Sequence, residues 1–158
     1  MSDSKHDLIQ SVLKSLQHDL DVLRKAALET HRSSTSEESK AEGKYDTRGL
    51  EASYLAEAQA EQVVQLEESI AKFTKINTDE LNGDEPIASG SMIIVSTDEN
   101  DLAYLMLPAG GGMQLSSQGL DFTVITPDSP VGSALIGRNV GEQVELPQHG
   151  SVFISDLW

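Results

Sequence analysis

LIQSVLKSLQHDLDVLRKAA (residues 8 to 27) and ASYLAEAQAEQVVQLEESIAKF (residues 52 to 73) carry one shared pattern, and that pattern decides the fold. In the first, Ile9, Leu13, Leu16, Leu20, Leu23 and Ala27 follow one another at spacings of 4-3-4-3-4. This is a heptad seam along one face of a helix. In the second, Ala52, Ala56, Gln59, Val63, Leu66, Ile70 and Phe73 repeat the spacing as 4-3-4-3-4-3. Pairing the seams antiparallel (Ile9 with Phe73, Leu16 with Leu66, Leu23 with Gln59, Ala27 with Ala56) gives residue numbers that sum to 82 or 83. The chain is therefore expected to fold back near residue 41 or 42, beside Gly43, which relieves the strain of a sharp reversal. Two helices of roughly 33 residues, rising ~1.5 Å per residue, make an arm on the order of 50 Å long.

Working outward, Asp3, Ser4 and Asp7 suit a helix start, where carboxylates and hydroxyls satisfy free N–H groups and the dipole. Arg24, Lys25, His31 and Arg32 form two i,i+7 pairs, a basic stripe on the outer half of the arm or an ordinary solvated face. Between the seams, SSTSEESKAEGKYD (residues 33 to 46) would read alone as a polar linker. The flanking seams make it an apex instead, carrying Glu37, Glu38, Glu42 and Asp46. Glu38 and Glu42 are four apart and share a face if the first helix persists that far. Carboxylates gathered without apolar cover suit a hard divalent cation such as Mg²⁺, completed by ligands from another molecule.

The second helix is expected to start at Thr47 to Leu50 and to end near Lys75-Ile76-Asn77, and TDELNGDEP (residues 78 to 86) reads as a linker. Beyond it the period shortens. Ser91 to Val95, Leu102 to Leu107, Phe122 to Ile125, Val140 to Leu146 and Val152 to Trp158 read as strands. Gly110-Gly111-Gly112 lacks the spacing and the following helix of a phosphate-binding loop, and reads as a flexible hairpin connection. Ser129-Pro130 looks like an N-cap and first helical residue, opening a turn or two that ends at Gly137. The fold class is thus α+β: an N-terminal antiparallel coiled-coil hairpin (1–77, acidic tip near 37–46), a linker (78–86) and a small β-rich domain (87–158).

Composition bounds the function. The 158 residues include no cysteine, which excludes disulfides and thiolate metal sites. No signal peptide is visible and no apolar run approaches the ~20 residues of a membrane span, so a soluble cytoplasmic protein is expected. The net charge of −15 is uneven: residues 76 to 158 hold twelve acidic residues and one basic residue, Arg138. Stand-alone binding to duplex DNA is disfavoured, because phosphate neutralisation needs clustered Lys and Arg. The acidity serves solubility or matches a partner with a basic surface. His6, His18, His31 and His149 are scattered without metal-ligand spacing, and no Ser/His/Asp arrangement is visible.

SPVGSALIGR (residues 129 to 138), followed by Gly141-Glu142 and Val144, resembles the C-terminal signature of the bacterial Gre transcript cleavage factors, GreA and GreB. In that family Ser-Pro opens a short helix, Ala-Leu-Ile-Gly closes it, and Gly-Asp or Gly-Glu leads to the next strand. The signature is shared with the related Rnk regulators of RNA polymerase, whose hairpin is shorter. In architecture the resemblance covers the whole chain; in sequence it covers the C-terminal half.

The resemblance implies an FKBP-like β domain that docks on RNA polymerase, with Ser129, Pro130, Ala134, Leu135 and Gly137 in the docking element. It further implies a hairpin that enters the secondary channel of the polymerase. Two tip carboxylates, Glu38 and Glu42 with Glu37 and Asp46 as substitutes, would help hold the active-centre Mg²⁺ while the polymerase cleaves backtracked RNA. The factor would be an activator rather than an enzyme, touching the RNA 3′ end only through the polymerase, with no cofactor of its own. Gre tips carry Asp-Leu-x-Glu-Asn-x-Glu-Tyr. With Tyr45 on the motif tyrosine, Glu38 falls on the Asp, Ala41 on the Glu, and Glu42 one place late. With Tyr54 there instead, Thr47 and Leu50 fall on the pair. A non-cleaving secondary-channel binder that modulates the polymerase, Rnk-like or a Gre homologue, is the alternative. A stand-alone prolyl isomerase would need an aromatic-lined pocket, for which three Phe, three Tyr and one Trp are few.

Overall fold

The computed structural model describes residues 5–35, 48–76 and 84–158. Its elements run α1 (Lys5–Thr35), α2 (Arg48–Ala71), a 3₁₀ turn (Lys72–Lys75), β1 (Met92–Ser96), β2 (Asp101–Met106), β3 (Gln114–Ser117), β4 (Leu120–Ile125), α3 (Pro130–Leu135), β5 (Gln143–Leu146) and β6 (Gly150–Leu157). The class is α+β, a helical hairpin followed by a six-stranded sheet. No described helix is long and apolar enough to cross a membrane. The chain divides into two units, Lys14–Ala71 and a second made of Met1–Leu13 with Lys72–Trp158.

In the helical unit, both seams face inward as their spacing requires. Leu16 and Leu20 are buried, Leu23 and Ala27 half-buried. On α2, Ala56, Gln59, Val63, Leu66 and Ile70 are all half-buried. Asp7 near the start of α1 and Arg32 near its end complement the helix dipole. Between the helices, Arg24 Nη2 donates to Glu67 Oε1 at 2.6 Å. Side chains of a helix lean toward its own N-terminus, so on antiparallel helices these two long side chains reach toward each other. Arg24, Ala27, Leu28 and His31 share one groove with Val63, Val64 and Glu67 of α2.

In the other unit, the sheet order is β3-β4-β2-β1-β6-β5. All neighbours are antiparallel except β2 and β4, which run parallel with Tyr104 beside Thr123 and Leu105 beside Val124. Alternation along the strands sends residues to two faces. One face carries Ile93, Val95, Tyr104, Met106, Ile125, Val152 and Ile154, closed over by Leu135 of α3. The opposite face carries Leu105, Phe122 and Val124. Leu8, Ile9, Val12 and Phe73 of the same unit are likewise buried. Trp158 closes against Phe122 edge to face, with ring centroids 6.2 Å apart.

Three local expectations are corrected here. The triple-glycine segment is not a hairpin connection: it carries the chain from β2 past β4 to β3, a strand the sequence did not reveal. Nor is it loose, since Gly112 N donates to Val124 O (2.8 Å) and Val124 N to Met113 O (2.8 Å). The β5 strand begins at Gln143 rather than Val140, because Gly141 turns the chain at φ +91°. The expected hairpin is instead β3–β4, where Gln118 (φ 53°) and Gly119 (φ 78°) form the two-residue turn that matches strand twist.

Candidate partner-binding site

Five of the residues expected to carry partner binding fall in or beside α3, and its ends explain why. Ser129 adopts an extended backbone (φ −69°, ψ 158°), and its Oγ accepts from Gly132 N at 3.0 Å, the N-cap bond. The same hydroxyl donates to Thr126 O at 2.7 Å, and Ser129 N donates to that carbonyl at 3.1 Å. Pro130 follows at the first helical position, where its missing N–H is no loss. At the other end Ile136 N donates to Gly132 O at 2.8 Å. Gly137, at φ +77°, then turns the chain so that its N–H reaches Ile87 O (2.8 Å), while Ile87 N donates to Arg138 O (2.8 Å). The turn is therefore clamped at both ends.

This geometry sorts the five residues. Leu135 is fully buried and Ala134 packs partly against the core, so both support the turn from below. Gly137 serves the backbone reversal. Ser129 and Pro130 alone of the five line a surface depression of about 370 Å³, together with Val131, Tyr104, Thr123 and His149. Exposed beside them are Ser133 and, at 38% exposure, Ile136.

Tyr104, Thr123 and the Pro147-Gln148-His149 turn are members of this site that sequence reasoning missed. Tyr104 lies mid-strand in an apolar run, where nothing marks it as more than core. No described protein group hydrogen-bonds its hydroxyl, and burial pushes the phenol above its ordinary pKa. The lining holds no carboxylate, ammonium or guanidinium group. Such a surface suits an apolar contact with one hydrogen-bond acceptor. Among the described residues no group of three His, Asp or Glu could hold a metal ion. Glu37, Glu38, Glu42 and Asp46 lie outside the described residues.

No protein-family model matches the chain, and no curated protein matches it. Several solved structures are similar. One is the GreA factor homolog 1 (Gfh1) protein of Thermus thermophilus, 21% identical over 92% of this chain and 94% of that one, with a TM-score of 0.38. Gfh1 of Thermus aquaticus is 19% identical over 91% and 92%, with a TM-score of 0.35. The GreA/GreB transcription elongation factor of Nitrosomonas europaea is 18% identical over 68% of this chain and 93% of its own, also at 0.35.

Proposed function

We propose that the protein is a Gre-like transcription elongation factor that binds RNA polymerase through its secondary channel and stimulates cleavage of backtracked RNA. One observation carries this reading: the SPVGSALIG segment forms a capped turn clamped to Ile87, with Ser129 and Pro130 at an uncharged surface depression. A segment so constrained offers a partner a preformed surface, which keeps the ordering cost of docking low. The helical hairpin supports the rest, because the acidic stretch from Glu37 to Asp46 falls in the chain between the end of α1 and the start of α2.

On this proposal the C-terminal domain (87–158) supplies most of the docking energy and the hairpin (1–77) delivers the tip. Glu38 and Glu42, with Glu37 and Asp46 as substitutes, would add carboxylate ligands to the active-centre Mg²⁺ of the polymerase. The ion supplies the hydrolysis chemistry by activating water and neutralising developing charge. The side chains of this protein contribute position and negative charge only, so it has no reaction of its own. The non-cleaving modulator is the second reading, favoured by Ala41 standing where the Gre tip motif has its second critical carboxylate. Incubating the protein with a stalled, backtracked elongation complex separates the two. Short 3′ RNA fragments support the first, and binding without fragments supports the second. Absence of binding excludes both.

A further inference from the structure

The seams do not hold the hairpin evenly along its length. Toward Lys14 and Ala71 the seam residues are Leu16, Leu20 and Leu23 on α1 and Val63, Leu66 and Ile70 on α2. Leu16 and Leu20 are buried and the other four half-buried, and the Arg24–Glu67 pair at 2.6 Å ties off this inner half. Toward Thr35 and Arg48 the described seam residues are Ala27, Ala56 and Gln59, and none of them is buried. The larger apolar side chains of this outer half, Leu28, Tyr54 and Leu55, stand 49%, 63% and 53% exposed. Closing the outer half therefore takes little apolar surface out of water.

The outer half also closes on a polar group. Gln59 Oε1 is buried with no hydrogen-bond partner, alone among the described side-chain atoms. In the closed hairpin that carbonyl has given up its bond to water and received nothing in exchange. Separated helices would give the bond back. The inner half carries no such group among its described residues.

We propose that the outer half of the hairpin, residues 25–35 with 48–59, opens as a unit of its own while the inner half stays closed, and that Gln59 sets how readily it opens. Opening rehydrates the Gln59 carbonyl and gives up only alanine-sized contacts. The Leu, Val and Ile seam beyond the Arg24–Glu67 pair stays packed. Such a step lies well below complete unfolding in free energy, as expected where buried apolar contacts are few. The result is a two-part arm, with a firm inner half and a distal half able to part its helices. This inference concerns the hairpin alone and does not rest on the polymerase reading.

Amide hydrogen exchange of the full chain, read residue by residue by NMR, tests this. Amides of residues 29–35 on α1 and 53–60 on α2 should share one protection factor and one urea dependence. That factor should lie at least about tenfold below the value for residues 18–24 and 67–71. Gln59→Leu should slow the outer amides of both helices about fivefold, including those of α1, which does not carry the substitution. Ile70→Val should speed the inner amides about threefold and leave the outer ones unchanged, with circular dichroism showing both variants folded. One protection factor over the whole hairpin overturns the proposal. So does Gln59→Leu protein whose residues 29–35 exchange as in the wild type, or Ile70→Val protein whose outer and inner amides speed up alike.

Discussion

Val12 Cγ1 occupies the space beside Gly110: a Cβ at that glycine would stand 3.0 Å from it. A residue from the first turns of α1 and a residue from the β2–β3 crossover therefore pack so closely that an added methyl would crowd them. Val12 is fully buried, and Gly110 holds φ at +88°. Val12→Ala should destabilise the protein by about 2 kcal/mol through the cavity it leaves. Gly110→Ala should cost about 1–3 kcal/mol from backbone strain and crowding together. Urea unfolding of both variants checks this.

Gly132 sits where the first turn of α3 lies against the end of β4. A Cβ there would fall far inside contact distance of the Thr126 carbonyl oxygen and 2.9 Å from Ser129 Oγ. Neither neighbour can move without breaking the cap. Gly132→Ala should therefore cost more than about 3 kcal/mol, at the severe end for a point change. Gly119→Ala is the control: its φ is +78°, yet nothing lies within 4 Å of the added carbon, so only strain of about 1–2 kcal/mol is expected. Ser129→Ala, which removes the cap without adding bulk, should cost about 1 kcal/mol.

Gln59 stands in the α2 seam with its Oε1 buried and without a partner among the described residues. An acceptor so placed costs roughly 1–3 kcal/mol of desolvation that nothing offsets. Gln59→Leu should stabilise the hairpin by about 1 kcal/mol and raise its thermal midpoint, whereas Leu16→Ala in the seam of α1 should lower stability by roughly 2–5 kcal/mol. Differential scanning calorimetry distinguishes the two signs.

The Tyr104 phenol is held above its ordinary pKa by burial. A raised folded-state pKa means the contribution to stability is complete below the unfolded value, near 10, and is lost as pH rises through the folded value. Ultraviolet titration should therefore show one late-ionising tyrosine that disappears in Tyr104→Phe. The wild type should also lose more stability above about pH 10 than that variant does.

The legible parts of this fold are those set by local periodicity and by caps. The phase of both seams could be read because Leu and Ile recur with the helical period, and α3 because Ser129-Pro130 is a cap in its own right. Strand β3 was hidden because three of the four residues of QLSS are polar and the strand forms one edge of the sheet. The parallel pairing of β2 with β4 depends on where a distant strand lies, which no local pattern encodes. Of the candidate site, Ser129 and Pro130 were found through the cap. Tyr104 was not, because only the assembled sheet and the β5–β6 turn make its hydroxyl part of a surface depression.

On the proposed function, this chain acts on RNA polymerase through its tip while holding it by its C-terminal domain. The direct test measures affinity and RNA cleavage together, on one backtracked elongation complex, for the wild type, Glu38→Ala and Glu42→Ala. All three should bind alike, and only the wild type should release 3′ RNA fragments. Wild-type protein that fails to bind the complex, or variants that cleave as well as the wild type, would contradict it.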